Sequence, residues 1–165
     1  MKINGGVVGL ENFLDENYIF LNCEFMDKVE ALTEISNRLH EKDKVKESFK
    51  GAILEREKNY PTGLLLNGLN VAVPHADPEH VIDPTLAIAT LENPVNFKRM
   101  DDPSKDVDVS IMFVFAVNNP DTHLGMLQET FQLMQMNGFR EELMACKSSK
   151  DAKNVIEKYL KTIED

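Results

Sequence analysis

The chain has 165 residues, 42% hydrophobic and 28% charged, the proportions of a soluble globular protein large enough to bury one core. Its net charge of −10 excludes a nucleic-acid binder, because phosphate backbones demand clustered lysine and arginine. The two cysteines, Cys23 and Cys146, lack metal-type spacing, no apolar run nears the ~20 residues of a membrane span, and no signal-peptide pattern opens the chain. A reducing, cytoplasmic setting without membrane insertion is the expectation.

In chain order, Tyr18 to Leu21 reads as a short strand after a polar, glycine-containing leader. From Asp27 the period becomes helical, with Val29, Leu32, Ile35 and Leu39 expected to face inward and Asp27 and Glu30 near the positive helix end. A second helix is expected from about Val45 to Lys58, with Phe49, Ala52 and Ile53 inward and Pro61 and Gly63 as its stop. A strand follows at Leu69 to Val73, ended by Pro74, which fixes φ and lacks a backbone donor. The next strand is Thr85 to Leu91, and beyond a polar connection Val95 to Phe97 reads as a separate short one.

Val107 to Val117 begins by alternating and then becomes continuously apolar, as a strand does on entering a sheet covered on both faces. Leu124, Leu127, Phe131 and Met134 recur at helical spacing, a further helical piece follows Gly138, and Ala152, Val155, Ile156, Tyr159 and Leu160 mark a terminal helix. The fold class expected is α/β, a sandwich with a mixed β-sheet flanked by helices on both faces. With no repeat, low-complexity segment or break in composition, residues 1–165 read as a single domain.

Four histidines are present, His40, His75, His80 and His123. His40 falls at a helix end, where a solvated imidazole favours the C-terminal dipole. His75 and His123 both follow predicted strand ends, the usual place for functional groups in α/β sheets. If those strands are parallel neighbours the two rings meet; two unrelated surface histidines are the alternative. His75, Asp77 and His80 also offer nitrogen and oxygen ligands for a metal, although Pro78 interrupts them and no helical HxxxH spacing is present. No GxSxG elbow, P-loop or GxGxxG turn occurs, which removes the Ser-His-Asp hydrolase and nucleotide readings. A histidine acting as a nucleophile remains: neutral imidazole carries a lone pair that can accept and later yield a phosphoryl group. Such a site needs donors for phosphoryl oxygens, and His123, the helix start beyond it and Arg56 are the candidates.

The run "LEREKNYPTGLLLNGLNVAVPHADPEHV" resembles the phosphorylation segment of enzyme IIA proteins of the mannitol–fructose class of the bacterial sugar phosphotransferase system, and "IMFVFAVNNPDTHLGMLQETF" is similar to their second motif. The spacing from Arg56 to His75 is longer than in typical mannitol and fructose members and is similar to that of galactitol-type enzyme IIA, as is the Pro-Thr-Gly turn. The resemblance implies that His75 is the phosphorylated histidine, reacting through Nε2, that His123 is the supporting histidine, and that Arg56 contacts phosphate or a partner. For Arg56 a solvated helix-end cation is the alternative. Thr62 and Gly63 are expected to shape the turn, and His80 has no implied role. The resemblance further implies no cofactor, a donor in the histidine-containing phosphocarrier protein, an acceptor in a cysteine of enzyme IIB, and galactitol or a related polyol as the transported sugar. The rivals are a regulatory, nitrogen-type enzyme IIA that controls a partner by its phosphorylation state, and a metal-dependent enzyme on His75, Asp77 and His80. The site is expected to be exposed and ringed by apolar surface.

Overall fold

In the computed structural model, which describes residues 9–164, strands β1 (Ile19–Cys23), β2 (Gly63–Leu64), β3 (Asn70–Ala72), β4 (Thr85–Lys98) and β5 (Asp106–Ala116) form one sheet. Its order is β1-β4-β5-β3-β2. The pairs β1–β4 and β3–β5 are parallel, while β4–β5 and β2–β3 are antiparallel. The sheet is therefore mixed, and the apolar run ending in Val117 supplies its central strand.

Period-two alternation along β5 divides the core. Ile111, Phe113, Phe115 and Val117 point to one side, Met112, Val114 and Ala116 to the other. The smaller side packs against α1 (Lys28–Glu41) and α2 (Ser48–Asn59), through Leu32, Ile35, Phe49 and Ile53. The phenylalanine side is covered by α3 (Pro120–Met134), α4 (Phe139–Ala145) and α5 (Ser149–Glu164), through Met126, Leu133, Phe139 and Ile156. Helices thus lie on both faces, as expected for a strand that becomes continuously apolar from Ile111 onward.

Local chemistry starts the helices that matter here. The Asp27 side chain accepts from Glu30 N at 2.8 Å and Glu30 Oε1 accepts from Met26 N at 3.2 Å, a variant of the capping box. Asn119 caps α3 by accepting from Thr122 N at 3.1 Å, and Pro120 occupies the first turn, where its missing N–H costs nothing.

Several expectations change. The polar connection after Leu91 does not divide two strands. β4 runs through it, with only a register shift against β5 between Thr90 and Val95. A bulge absorbs the extra residues without ending the strand. Val45 lies outside α2, held in a bridge to Val81 while Lys46 N donates to His80 O. Gly63 belongs to β2 rather than to a turn. A Cβ there would stand 2.6 Å from both Lys98 O and Val107 Cγ1, so no other residue fits without displacement.

The α1 face keeps its expected phase except at Val29, whereas the α3 face is rotated. On α1 the buried stripe runs through Ala31, Leu32, Ile35 and Leu39, which puts Val29 on its margin, exposed. On α3 it runs through Met126, Thr130, Leu133 and Met134. At 100° per residue this turns Leu124 outward, 57% exposed, and brings His123 onto the inward side.

Candidate active site

Pro74 and His75 continue the line of β3 beyond its last residue. Phe115 N donates to Pro74 O at 3.0 Å and His75 forms a bridge with Phe115, so the end of β5 fixes the backbone that carries the imidazole. Because β3 and β5 are parallel neighbours, the chain leaving β5 enters α3 beside His75. His123 occupies the first turn of α3, a few residues past the strand end, and its ring lies 5.5 Å from that of Phe115. The two histidine rings meet edge to face with centroids 4.7 Å apart, within the reach that shared chemistry requires.

Both ring nitrogens of His75 have partners. Nδ1 lies 3.2 Å from Val73 O, and a carbonyl can only accept, so Nδ1 carries the proton. Arg56 Nε donates to Nε2 at 3.0 Å, which requires a lone pair there. These two contacts select the neutral tautomer whose lone pair is on Nε2. Burial lowers the His75 pKa, the Val73 carbonyl opposes this, and the Arg56 charge adds to the lowering. The imidazole therefore stays unprotonated below the pH at which a free histidine would charge.

His123 is held further down, to about 4, by burial first and then by His75 and Arg56. Its Nε2 is buried without a hydrogen-bond partner. A buried polar atom left unmatched is costly, and a phosphoryl oxygen seated between the two rings would satisfy it. Arg56 also reaches Asp77 Oδ1 at 3.5 Å and lies 5.3 Å from the Tyr60 ring centroid. Arg56 thus reaches back from the last turn of α2 onto His75, Asp77 and Tyr60. Around these groups Ala76, Pro78, Val117, Asn119 and Pro120 line an open depression of about 190 Å³. Tyr60 and Leu124 are both exposed, the first beside Arg56 and the second next to His123 in the chain.

The arrangement offers a lone pair at Nε2, a guanidinium touching it, an unmatched imidazole nitrogen and the positive end of α3. That is a seat for a tetrahedral anion bonded to His75. His80 does not join it: its Nδ1 lies 2.8 Å from Ser48 Oγ. Among the described residues no group of three His, Cys, Asp or Glu side chains comes together as metal ligands, so His75, Asp77 and His80 do not converge. Also among the described residues, no helix is long and apolar enough to cross a membrane.

One residue beside the site carries no local sequence signal. Glu57, 3% exposed, accepts from Thr62 N and from Thr62 Oγ1, each at 2.8 Å. Burial pushes its carboxyl up to about 6, against the lowering influence of those two bonds and of Lys28 and Arg56. A folded pKa above the unfolded value means the folded chain holds the proton longer. Stability from this group is then greatest below pH 4.5 and is lost as pH rises to about 6. The stability of the wild type minus that of Glu57→Gln, measured by urea unfolding, should fall by roughly 2 kcal/mol between pH 4 and pH 7. An unchanged difference would contradict the burial effect.

The family model for the phosphoenolpyruvate-dependent sugar phosphotransferase system, EIIA 2, matches residues 12–159. The galactitol-specific EIIA component of the phosphotransferase system of Escherichia coli (strain K12) is 30% identical over 127 residues, which cover 77% of this chain and 84% of that protein. The mannitol-specific cryptic phosphotransferase enzyme IIA of Escherichia coli has the same fold, with a TM-score of 0.72 at 24% identity over 90% of this chain and 98% of its own. So has a chain of the Escherichia coli complex of mannitol enzyme IIA with phosphorylated mannitol enzyme IIB, with a TM-score of 0.70 at 21% identity over 88% and 97%. The family match over most of the sequence, together with this fold, means that the chain belongs to the EIIA 2 family of the phosphoenolpyruvate-dependent sugar phosphotransferase system, a family of phosphoryl carriers.

Proposed function

We propose that this chain, acting as one cytoplasmic domain, carries a phosphoryl group on His75 Nε2, taking it from the histidine-containing phosphocarrier protein and passing it to a cysteine of enzyme IIB. The transported sugar is galactitol or a related polyol. The observation that carries this reading is the pair of contacts on His75, Val73 O at Nδ1 and Arg56 Nε at Nε2, which leaves the lone pair on Nε2 of a ring that lines the open depression.

In the first step the Nε2 lone pair attacks the phosphorus of the donor phosphohistidine. The new N–P bond forms as the donor N–P bond breaks, and that electron pair returns to the donor ring, which carries a proton on its other nitrogen and so leaves as neutral imidazole. Nδ1 keeps its proton throughout, so no general base is needed. Arg56 changes partner, from the lone pair to a phosphoryl oxygen, with its charge unaltered. His123 Nε2 gains the partner it lacks at rest. In the second step the acceptor thiolate attacks phosphorus, a P–S bond forms, and the N–P pair returns to Nε2. Nothing in this cycle requires a cofactor, and the sugar does not touch the chain. The IIB assignment is supported by the similar fold of the mannitol enzyme IIA solved with phosphorylated enzyme IIB. The galactitol assignment is supported by the 30% identity to the galactitol-specific component.

The test is a relay reconstituted from labelled phosphoenolpyruvate, enzyme I, the phosphocarrier protein and this chain, with galactitol-, mannitol- and fructose-type enzymes IIB supplied separately. Label should reach the chain and discharge fastest to the galactitol-type acceptor. Faster discharge to another type would overturn the sugar assignment. Charging without discharge to any of them would replace transport by a regulatory role. A chain that takes no label from the phosphocarrier protein is not this carrier.

A further inference from the structure

The contacts around His75 do not stop at its two nitrogens. Val73, whose carbonyl accepts from His75 Nδ1, donates its own N–H to Thr62 O at 3.3 Å. Thr62 turns both its N–H and its hydroxyl onto the Glu57 carboxylate. Glu57 is the chain neighbour of Arg56 on α2, and Arg56 Nε returns to His75 Nε2. Arg56, His75, Val73, Thr62 and Glu57 therefore form a closed circuit in which one link is covalent and the rest are hydrogen bonds. Val73, Thr62 and Glu57 are all buried, so water does not compete for these bonds.

We propose that Glu57 and Thr62 are positioning residues for phosphoryl transfer, closing a circuit that sets both the tautomer of His75 and the place of Arg56 over Nε2. The proposal rests on the carrier reading of His75 given above. A turn joining a helix to a strand does not by itself need a buried carboxylate, whose desolvation is costly. Glu57 is the one acidic side chain in the buried class among the described residues. What a carboxylate supplies here is two acceptors for two donors of a single residue, which pins the end of α2 to the segment leading into β2 and, through Thr62 O, to the end of β3. Arg56 and the Val73 carbonyl hang from those two pinned ends and approach opposite edges of one ring. Without the pin they move independently, Nδ1 loses its fixed acceptor, and the lone pair is no longer confined to Nε2.

The experiment compares Glu57→Leu and Thr62→Val, which remove acceptors or the hydroxyl at similar volume, with Glu57→Gln and Thr62→Ser, which can rebuild the bonds. Nitrogen-15 spectra of the His75 ring report the tautomer. Phosphorylation of His75 by phosphoramidate, a small donor that needs no partner protein, reports reactivity. Urea unfolding confirms that each variant compared is folded. Glu57→Leu and Thr62→Val should show a mixed His75 tautomer and a maximal phosphorylation rate lowered about 10-fold at unchanged half-saturation, the scale expected for misplacement without loss of a reacting group. Glu57→Gln and Thr62→Ser should recover the Nδ1-protonated signature and most of the rate. Wild-type ring signals in the folded Glu57→Leu and Thr62→Val chains would overturn the proposal, whatever their rates. Failure of the carrier reading is a separate result: the wild type would then take no label from the phosphocarrier protein, while the ring signals would still decide the circuit.

Discussion

A His75→Gln chain is expected to fold and to take up no acid-labile phosphate from the phosphorylated carrier protein. Glutamine retains a carbonyl and an amide of similar reach, so it fills the space between Val73 O and Arg56, but it offers no nitrogen lone pair of imidazole basicity. The effect is the loss of the covalent acceptor, so labelling should drop to background and not by a finite factor. His123 lacks the pair of contacts that fixes the His75 lone pair: its Nε2 is buried and without a partner. The bond gives an independent check. A phosphoramidate is lost in mild acid and survives in base, and label on the wild type should behave so. Full labelling of His75→Gln, or a base-labile, acid-stable label on the wild type, would move the phosphoryl group to another residue and remove the relay.

His123→Ala should still be labelled but should transfer onward to enzyme IIB about 10²–10³-fold more slowly, the usual cost of deleting one aligned donor to a phosphoryl or oxyanion oxygen. At rest, His123 is kept neutral by burial, by His75 and by Arg56. A phosphoryl group on His75 reverses the sign of its surroundings, because a neighbouring dianion favours imidazolium where the arginine opposed it. The His123 pKa should therefore rise on phosphorylation. Proton uptake or histidine ring shifts, compared between the free and phosphorylated protein, would show it. His123→Ala with unaltered onward transfer would remove this residue from the mechanism. An unmoved His123 titration would remove the charge reversal while leaving hydrogen bonding as its contribution.

Much of this was legible in the residues alone because the signals are local. Pro74 marks the end of a strand and sets the following histidine just beyond it, and Asn119-Pro120 opens a helix by its capping chemistry. The unbroken apolarity from Ile111 to Val117 demanded cover on both faces of the sheet, and that cover is present. The two histidine motifs carried the family, which the match over residues 12–159 bears out.

What was not legible depends on contacts between distant segments. β4 reads as two strands because its polar middle, Glu92 to Pro94, looks like a connection; only pairing with β5 on both sides of that stretch makes it one. The inward face of α3 could not be phased from Leu124, Leu127 and Phe131, since apolar residues surround much of that helix. Packing against the phenylalanine side of β5 kept Met134 inward but chose Met126 and Leu133 beside it, and in doing so swung His123 toward His75 and Leu124 toward solvent. Glu57 looked like one more charge on a helix with many. It became a buried anchor because the segment after α2 folds back and presents Thr62 to it. The sequence by itself determined which residues had the chemistry of a phosphoryl acceptor, since that lies in the imidazole and its neighbours along the chain. The resemblance implied Nε2, but only the tertiary structure supplies what keeps the lone pair on that nitrogen, because the groups that do so, Val73 O and Arg56 Nε, reach the ring from two different elements.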